Sequence, residues 1–265
     1  GLAQTVQQAD GFAATRRHNQ EIDDVGWQQV IAWRVASESA GGVLFASESA
    51  GGMFSFGTGL DAAAGRFVSA EGGLHLVTAT VRLNSVNVGR FELSIALNGK
   101  PDADNGLHVA DSNPHPDFAD FSVSGVISMQ AGDFVSVWVY AHEDTSYTVS
   151  GQSGFSCVLV ETTEGFGADL AANQAVTSTD WTEVTGWEVS GIDGRAGLFS
   201  LGSGFDTSTG RYTASVEGVY FASAQIRLDG ADVGRFEATL GLNGSPELSR
   251  FLQVGDGSPS PDIAG

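Results

Sequence analysis

Cysteine, proline and positive charge are all scarce in this sequence of 265 residues. The one cysteine, Cys157, excludes an internal disulfide framework and a zinc site built from several cysteines, and it leaves the cellular compartment open. The 6 prolines and 36 glycines follow no Gly-X-Y period, which excludes collagen. A net charge of −20 argues against nucleic acid as a partner, because phosphates require clustered Lys and Arg. The acidic charge suits salty or calcium-bearing fluid, or simply solubility.

Long hydrophobic runs are also missing. No stretch approaches the roughly 18 apolar residues of a membrane span, so we expect no membrane insertion. The sequence begins at Gly1 rather than at Met, so we expect a removed signal peptide or a fragment. Asn243-Gly-Ser245 forms a glycosylation sequon, but this triplet is too frequent by chance to establish secretion.

The sequence contains a long internal duplication. The stretch from Phe54 to Ala119 returns 145 positions later as Phe199 to Ala264, without a gap. Val88-Gly-Arg-Phe-Glu92, for example, is repeated as Val233-Gly-Arg-Phe-Glu237. Such a repeat indicates two copies of one domain.

The duplication extends towards the N-terminus at a different offset. Gly11-Phe12 matches Gly165-Phe166, 154 positions later, so the first copy carries nine extra residues before Phe54. They lie in two runs of Ala-Ser-Glu-Ser-Ala-Gly-Gly, at 36–42 and 46–52, which predict a longer surface loop. We divide the chain into a tail (1–10), a first copy (11–162) and a second copy (163–265).

Alternating side chains predict that both copies are all-β. From Leu74 to Leu83 the apolar residues alternate, which predicts a strand with one face turned to the core: His75, Val77, Ala79, Val81 and Leu83. The second copy repeats this face from Tyr220 to Leu228. Further strands are predicted at 91–97, 121–129, 134–140 and 155–160, with a weak edge strand from 107. Many short strands separated by turns predict a sandwich or jelly roll.

The second copy has no counterparts of residues 121–160, because Gly265 matches Asp120. We expect the chain to be a fragment of a longer tandem array, or a neighbouring molecule to supply the missing strands.

Several motifs resemble the C1q domain of the C1q and tumour necrosis factor superfamily. Thr209-Gly-Arg-Tyr212 and Gly218-Val-Tyr-Phe221 follow the family pattern closely, and Gly65-Arg-Phe67 and Gly73-Leu-His-Leu76 follow it more loosely. Further matches are these: Phe205-Asp206, Leu60-Asp61, Asn98-Gly99, Asn243-Gly244, Gly132-Asp133 and Phe155-Ser-Cys-Val-Leu159. Cys157 and His75 depart from the family's usual Gly and Tyr. The resemblance covers nearly all of residues 19–161 and the matching part of the second copy.

The resemblance implies a ten-stranded C1q/TNF-like jelly-roll β-sandwich in two tandem copies, the second incomplete. It also implies a compact homotrimer, whose shared axis would be filled by apolar side chains. The predicted structural core contains seven aromatic residues: Phe67, Phe91, Phe155, Tyr212, Tyr220, Phe221 and Phe236.

Calcium is a candidate cofactor, although none is certain. Asp102 and Asp104 place oxygens at alternating positions, but the loop is not an EF-hand. Asp111 and Asp117 return as Asp256 and Asp262 beside paired prolines, and many members of the family bind calcium near the trimer apex. Simple solvation of these loops is the alternative.

The arginines that recur are candidate functional residues. Six of the 12 Lys and Arg form matched pairs: Arg66 and Arg211, Arg82 and Arg227, Arg90 and Arg235. In so acidic a chain they are expected to pair with carboxylates such as Glu92 and Glu237. An anion or sialic-acid site is the alternative. Trp27, Trp33, Trp181 and Trp187 could similarly stack on sugars or pack between strands.

No catalytic constellation is present. Gly-x-Ser-x-Gly is absent, the five histidines are scattered, and His75 is matched by Tyr220, which favours a packing role. We therefore predict a non-enzymatic protein, secreted, extracellular or surface-displayed, that binds glycan or protein ligands multivalently. The alternative is a structural repeat protein of a fibre, coat, matrix or virion surface, with array neighbours as partners.

Overall fold

A computed structural model describes most of the chain. The described residues are 11–16, 18–34, 54–56, 59–85, 90–99, 101, 106–111, 118–142, 146–178, 180–189, 198–224, 226, 228–229, 236–243, 245–246, 253–256 and 263–264. The predicted tail (1–10) and the repeated Ala-Ser-Glu-Ser-Ala-Gly-Gly runs lie outside these ranges. Among the described residues, no helix has the length and hydrophobicity needed to span a membrane.

The first copy folds as two antiparallel sheets. Sheet I contains eight strands: β1 (Gly11–Arg16), β2 (Gln20–Ile22), β4 (Trp33–Arg34), β5 (Phe54–Phe56), β8 (Gly73–Asn84), β11 (Phe118–Met129), β13 (Tyr147–Val149) and β14 (Gly154–Val160). Sheet II contains six: β3 (Gly26–Gln29), β6 (Leu60–Asp61), β7 (Arg66–Val68), β9 (Phe91–Leu97), β10 (Gly106–Asp111) and β12 (Phe134–Ala141).

Strand β8 organises sheet I. It pairs with β11 from Asn84 to Gly73 along one edge, and with β14 and β13 along the other. Strand β14 then pairs with β1, whose far edge pairs with β4 and β5. In sheet II, β12 lies between β9 on one side and β7 and β3 on the other.

The inner faces of the two sheets form one apolar core. Phe12 of β1 stacks on Phe67 of β7 with ring centroids 5.3 Å apart, and Phe91 of β9 meets Tyr147 of β13 edge-on at 5.3 Å. Both contacts join sheet I to sheet II, so side chains from the two sheets interdigitate. The predicted jelly-roll sandwich is confirmed by this arrangement.

The alternation in the sequence correctly predicted the inward face of β8. His75, Val77, Ala79, Val81 and Leu83 are all buried, as period-two spacing requires. The predicted core residues Phe67, Phe91 and Phe155 are buried as well. His75 packs 6.0 Å from the Phe67 ring, and its Nε2 lies 3.2 Å from Ser69 Oγ.

Among the described residues of the second copy, the strands pair as six separate two-stranded ladders. They are β15 (Gly165–Gly167) with β18 (Phe199–Leu201), β16 (Asp169–Leu170) with β17 (Trp187–Glu188), β19 (Phe205–Asp206) with β20 (Arg211–Tyr212), β21 (Leu228–Asp229) with β26 (Ile263–Ala264), β22 (Phe236–Thr239) with β25 (Gln253–Asp256), and β23 (Gly241–Leu242) with β24 (Ser245–Pro246).

Five of these ladders reproduce registers of the first copy residue for residue. Gly11↔Phe56 returns as Gly165↔Leu201, Thr15↔Arg34 as Asp169↔Glu188, Leu60↔Phe67 as Phe205↔Tyr212, Leu83↔Ala119 as Leu228↔Ala264, and Phe91↔Asp111 as Phe236↔Asp256. The duplication therefore extends from sequence to strand pairing. It does not confirm a second closed sandwich.

Side-chain hydrogen bonds repeat in the same way. Gln20 Nε2 donates to Gln29 O at 2.9 Å, and Gln174 Nε2 donates to Glu183 O at 3.0 Å. Trp33 Nε1 donates to Val30 O at 3.1 Å, and Trp187 Nε1 donates to Val184 O at 2.8 Å. These indoles therefore hold the same local turn in both copies.

The predicted core roles of Tyr220 and Phe221 are wrong for this structure. Their side chains are 43% and 55% exposed, and residues 213–224 form no strand. Their counterparts in β8, His75 and Leu76, pair with Ile127 and Val126 of β11 on one edge and with Leu159 and Val158 of β14 on the other. The printed sequence contains no counterparts of these four partners. Phe221 also matches Leu76, which points to the half-exposed outer face of β8.

The remaining predicted core residues are less buried or not described. Tyr212 is half-buried, with its ring 5.5 Å from Phe166, and Tyr212 Oη donates to Glu164 at 3.2 Å. Phe236 lies in β22, but its side chain lies outside the described part of the chain.

Candidate functional site

Four rings form a cluster on the outer side of sheet II, which we call the aromatic face: Trp27, His108, Tyr140 and His142. The Trp27 ring lies 5.2 Å from the Tyr140 ring and 5.7 Å from the His108 ring, and Tyr140 lies 4.4 Å from His142. Strand register explains the cluster, because Tyr140 of β12 pairs directly with Trp27 of β3. His142 is exposed and the other three rings are half-buried.

Charged groups border the aromatic face. Glu92 is the partner of Tyr140 on the other edge of β12. Glu92 Oε1 accepts a hydrogen bond from His142 Nε2 at 2.7 Å and lies 3.0 Å from Arg90 Nη2. A half-buried indole and phenol beside polar groups can stack on a sugar ring or a peptide side chain while hydrogen bonds orient it.

A second site lies in sheet I, where β1 ends beside β4. A depression of about 400 Å³ is lined by Arg16, His18, Ala32, Trp33, Arg34, Ala62 and Ala63, and we call it the basic pocket. Arg16 and Trp33 are register partners and both are buried, whereas His18 and Arg34 are exposed. The pocket therefore runs from a basic rim to a buried guanidinium.

The guanidinium of Arg16 has an unusual environment. The residue is 6% exposed, and its Nε and Nη1 have no hydrogen-bond partner among the residues that the structure describes. Burial lowers the pKa of Arg16, since no charged partner compensates the lost hydration. Its backbone is held in place, because Arg16 N donates to Ser153 O at 3.1 Å and Arg16 pairs with Trp33 in the ladder of β1 and β4.

The recurring arginines do not converge on one anion site. Arg66 Nε lies 3.8 Å from Asp61 Oδ2, and its guanidinium lies 5.1 Å from the Phe134 ring centroid. Arg82 Nε donates to Asn84 Oδ1 at 3.4 Å in sheet I, and Arg90 pairs with Glu92, as described above. The recurring arginines of the first copy therefore lie apart from one another, each beside an acid or an amide.

In the second copy, Arg211 forms a bidentate pair with Glu183, with Nε and Nη2 each donating at 2.8 Å. Arg227 and Arg235 lie outside the described residues, so an anion site that includes them stays a prediction.

The predicted calcium ligands lie mostly outside the described part of the chain. This holds for Asp102, Asp104, Asp117 and Asp262. Asp111 and Asp256 end strands β10 and β25 opposite Phe91 and Phe236, but their side chains are not described. Within the described ranges, no three His, Cys, Asp or Glu side chains gather as metal ligands would. The calcium site remains a prediction.

Arg16 was not among the candidate residues, because those arginines were selected for recurring in both copies. Arg16 is matched by Leu170, so it did not belong to that set. The available signal was period-two alternation, since Phe12, Ala14 and Arg16 share the buried face of β1. An arginine in an apolar position of a strand is the anomaly that would have revealed it.

No protein-family model matches the sequence, and no curated protein matches it. Among solved structures, the chain is similar to murine APRIL crystallised at pH 5.0, at 15% identity and a TM-score of 0.40, covering 58% of this chain and 100% of that one. It is also similar to the globular domain of zebrafish complement 1qA protein, at 14% identity and a TM-score of 0.38, covering 57% of this chain and 98% of that one. The likeness concerns the fold alone.

Proposed function

We propose that this chain is a non-enzymatic recognition protein, extracellular or surface-displayed, that binds a glycan or protein ligand through the aromatic face. The observation that carries this proposal is the contact of Trp27 with Tyr140, flanked by Glu92, on the outer side of a packed sheet. A rigid sheet fixes the rings in place, so binding loses little side-chain entropy.

Duplication supports multivalent binding. The second copy repeats the pairings of the first and keeps an exposed indole, Trp181, at the position of Trp27. Linked or oligomeric copies raise the effective concentration of a second binding event, so that a weak site becomes effective through avidity. The C1q-like fold makes a homotrimer the expected assembly.

The experiment is a screen of the full chain against immobilised glycans and extracellular proteins, followed by titration of each ligand with Trp27→Ala and Tyr140→Ala. Each substitution should weaken binding at least about tenfold, as loss of an aromatic anchor does. Trp181→Ala measures the contribution of the second copy, and should lower the avidity for a multivalent ligand without changing the affinity of the aromatic face for a monovalent one. A ligand that both variants bind as tightly as the wild type would contradict the proposal.

Assembly is tested separately by light scattering after size exclusion, with and without a calcium chelator. A mass of three chains supports the trimer, and its loss in chelator would identify calcium as a structural cofactor. A single-chain mass would contradict the trimer while leaving the aromatic face untouched.

A structural repeat protein is the second candidate function, and one observation favours it. Val216, Val219, Tyr220 and Phe221 expose apolar side chains in one short segment of the second copy. Such a patch favours association between chains. Polymer growth that rises with protein concentration, without any ligand, would support this candidate over recognition.

A further inference from the structure

The basic pocket contains a buried cation that the fold itself does not require. An uncompensated guanidinium in a protein interior is costly, because it loses its hydration and gains no ion pair. Arg16 is in this situation, whereas the described recurring arginines have partners. Such an unsatisfied buried group calls for an explanation, and a bound ion that completes its hydrogen bonds is one.

The second copy repeats the ladder of β1 and β4 without these charges. Leu170 takes the place of Arg16 and pairs with Trp187 in the register in which Arg16 pairs with Trp33. The rim residues His18 and Arg34 are matched by Ala172 and Glu188. An apolar residue therefore satisfies this strand position, and all three basic residues are specific to the first copy.

The lining of the pocket selects the chemistry of its ligand. Its described lining residues include two arginines and a histidine but no carboxylate, in a protein whose net charge is −20. Guanidinium groups bind planar carboxylates and phosphates through paired N–H donors. Ala32, Ala62, Ala63 and Trp33 supply apolar surface beside the cations, which a bare hydrated ion would not use.

We propose that the basic pocket binds a small oxyanion, a carboxylate or phosphate group, through the free N–H donors of Arg16, with Arg34 and His18 at its rim. This site shares no residue with the aromatic face and stands whether or not the chain is a multivalent recognition protein.

The test follows thermal unfolding of the full chain in inorganic phosphate and, separately, in benzoate, whose carboxylate carries an apolar ring. A specific ligand should raise Tm by about 3–5 °C for each tenfold increase in concentration above its dissociation constant. Arg16→Leu, which copies the second copy, should lose this response. Its Tm without anion should equal or exceed that of the wild type, because an unpaired buried charge has been removed. Any general salt effect appears equally in this variant and is subtracted.

A second variant tests the pocket without touching Arg16. Ala63→Trp places a bulky ring in the exposed turn that lines the pocket and should also abolish the response.

In the wild type, the NMR resonance of the Arg16 Nε–H should shift with rising concentration of the bound anion until it saturates. A response to phosphate assigns a phosphate group, and a response to benzoate alone assigns a carboxylate with an apolar body. The proposal is overturned if neither probe acts, or if Arg16→Leu responds as the wild type does.

Discussion

At the scale of single residues, Tyr147 is another buried side chain with a polar atom that lacks a described partner. Tyr147 is almost completely buried, and its hydroxyl has no hydrogen-bond partner among the described residues. Burial, followed by the negative charge of Asp24, raises the pKa of Tyr147, so the phenol stays neutral. Its ring meanwhile contributes packing against Phe91.

Tyr147→Phe should therefore stabilise the first copy by about 1 kcal/mol, since it removes an unsatisfied hydroxyl and keeps the ring. Urea denaturation measures the change. Tyr147→Leu is the control and should destabilise by about 1–3 kcal/mol, because the aromatic contact with Phe91 is lost. A marked loss of stability in Tyr147→Phe would show that the hydroxyl is hydrogen-bonded in solution.

The pair of Glu183 and Arg211 gives a prediction on pH. The two hydrogen bonds from Arg211 lower the pKa of the Glu183 carboxyl below its ordinary value. A carboxyl with a lowered folded-state pKa adds stability above its unfolded pKa, and this stability is lost as pH falls through the folded value. An NMR titration of the Glu183 carboxyl carbon should therefore give a low midpoint, and Arg211→Gln should raise it. A midpoint that Arg211→Gln leaves unchanged would contradict the pairing.

At the scale of elements, one side chain joins two turns of sheet II. Asn98 follows β9 with a φ of +58°, and its Nδ2 donates to Asp133 Oδ1 at 2.7 Å. Its Oδ1 accepts from Phe134 N at 2.9 Å, at the start of β12. Asp133 Oδ2 in turn accepts from Gln130 N at 2.6 Å. Asn98 thus combines tolerance of positive φ with two bonds to the neighbouring turn.

Substitutions at Asn98 separate these two contributions. Asn98→Gly keeps the left-handed backbone and loses both side-chain bonds, so it should cost about 1 kcal/mol. Asn98→Ala also places a Cβ in a disfavoured region and should cost about 1–2 kcal/mol more. Urea denaturation ranks the two variants. Equal stability of Asn98→Ala and Asn98→Gly would show that the backbone conformation contributes nothing.

At the scale of the whole molecule, the two copies differ in closure rather than in pairing. The first copy closes because β8 has partners on both edges, whereas the matching segment at 218–226 of the second copy forms no strand where it is described. The shared registers show that these pairings do not depend on a closed sandwich. Burial of the apolar faces needs the further strands.

A chimera tests this reasoning. Residues 121–160, appended after Gly265, should restore the missing partners in register, because Gly265 matches Asp120. Hydrogen exchange of the amides at 218–226 should then slow by at least about a hundredfold, as for amides in a stable sheet. A scrambled copy of the same 40-residue segment is the control, and it should give no protection. Fast exchange in both chimeras would contradict the inference that only strand partners are missing.

How far the sequence predicts the structure depends on which interactions decide each feature. The alternation of β8 is local, so its strand and inward face could be predicted from the residues themselves. The aromatic face depends on register between β3 and β12, more than a hundred positions apart, which no local pattern encodes. Arg16 is visible as a charge, but its lack of partners emerges only from packing.

The repeated registers also bear on how this chain tolerates insertion. Ten residues (189–198) join β17 to β18, and nineteen (35–53) join the matching β4 to β5, yet the ladders on both sides keep the same pairing. Doubling the length of a flexible connection costs only about 0.6 kcal/mol in chain entropy. The connection between β4 and β5 should therefore accept inserted residues without changing the pairing of the strands on either side of it.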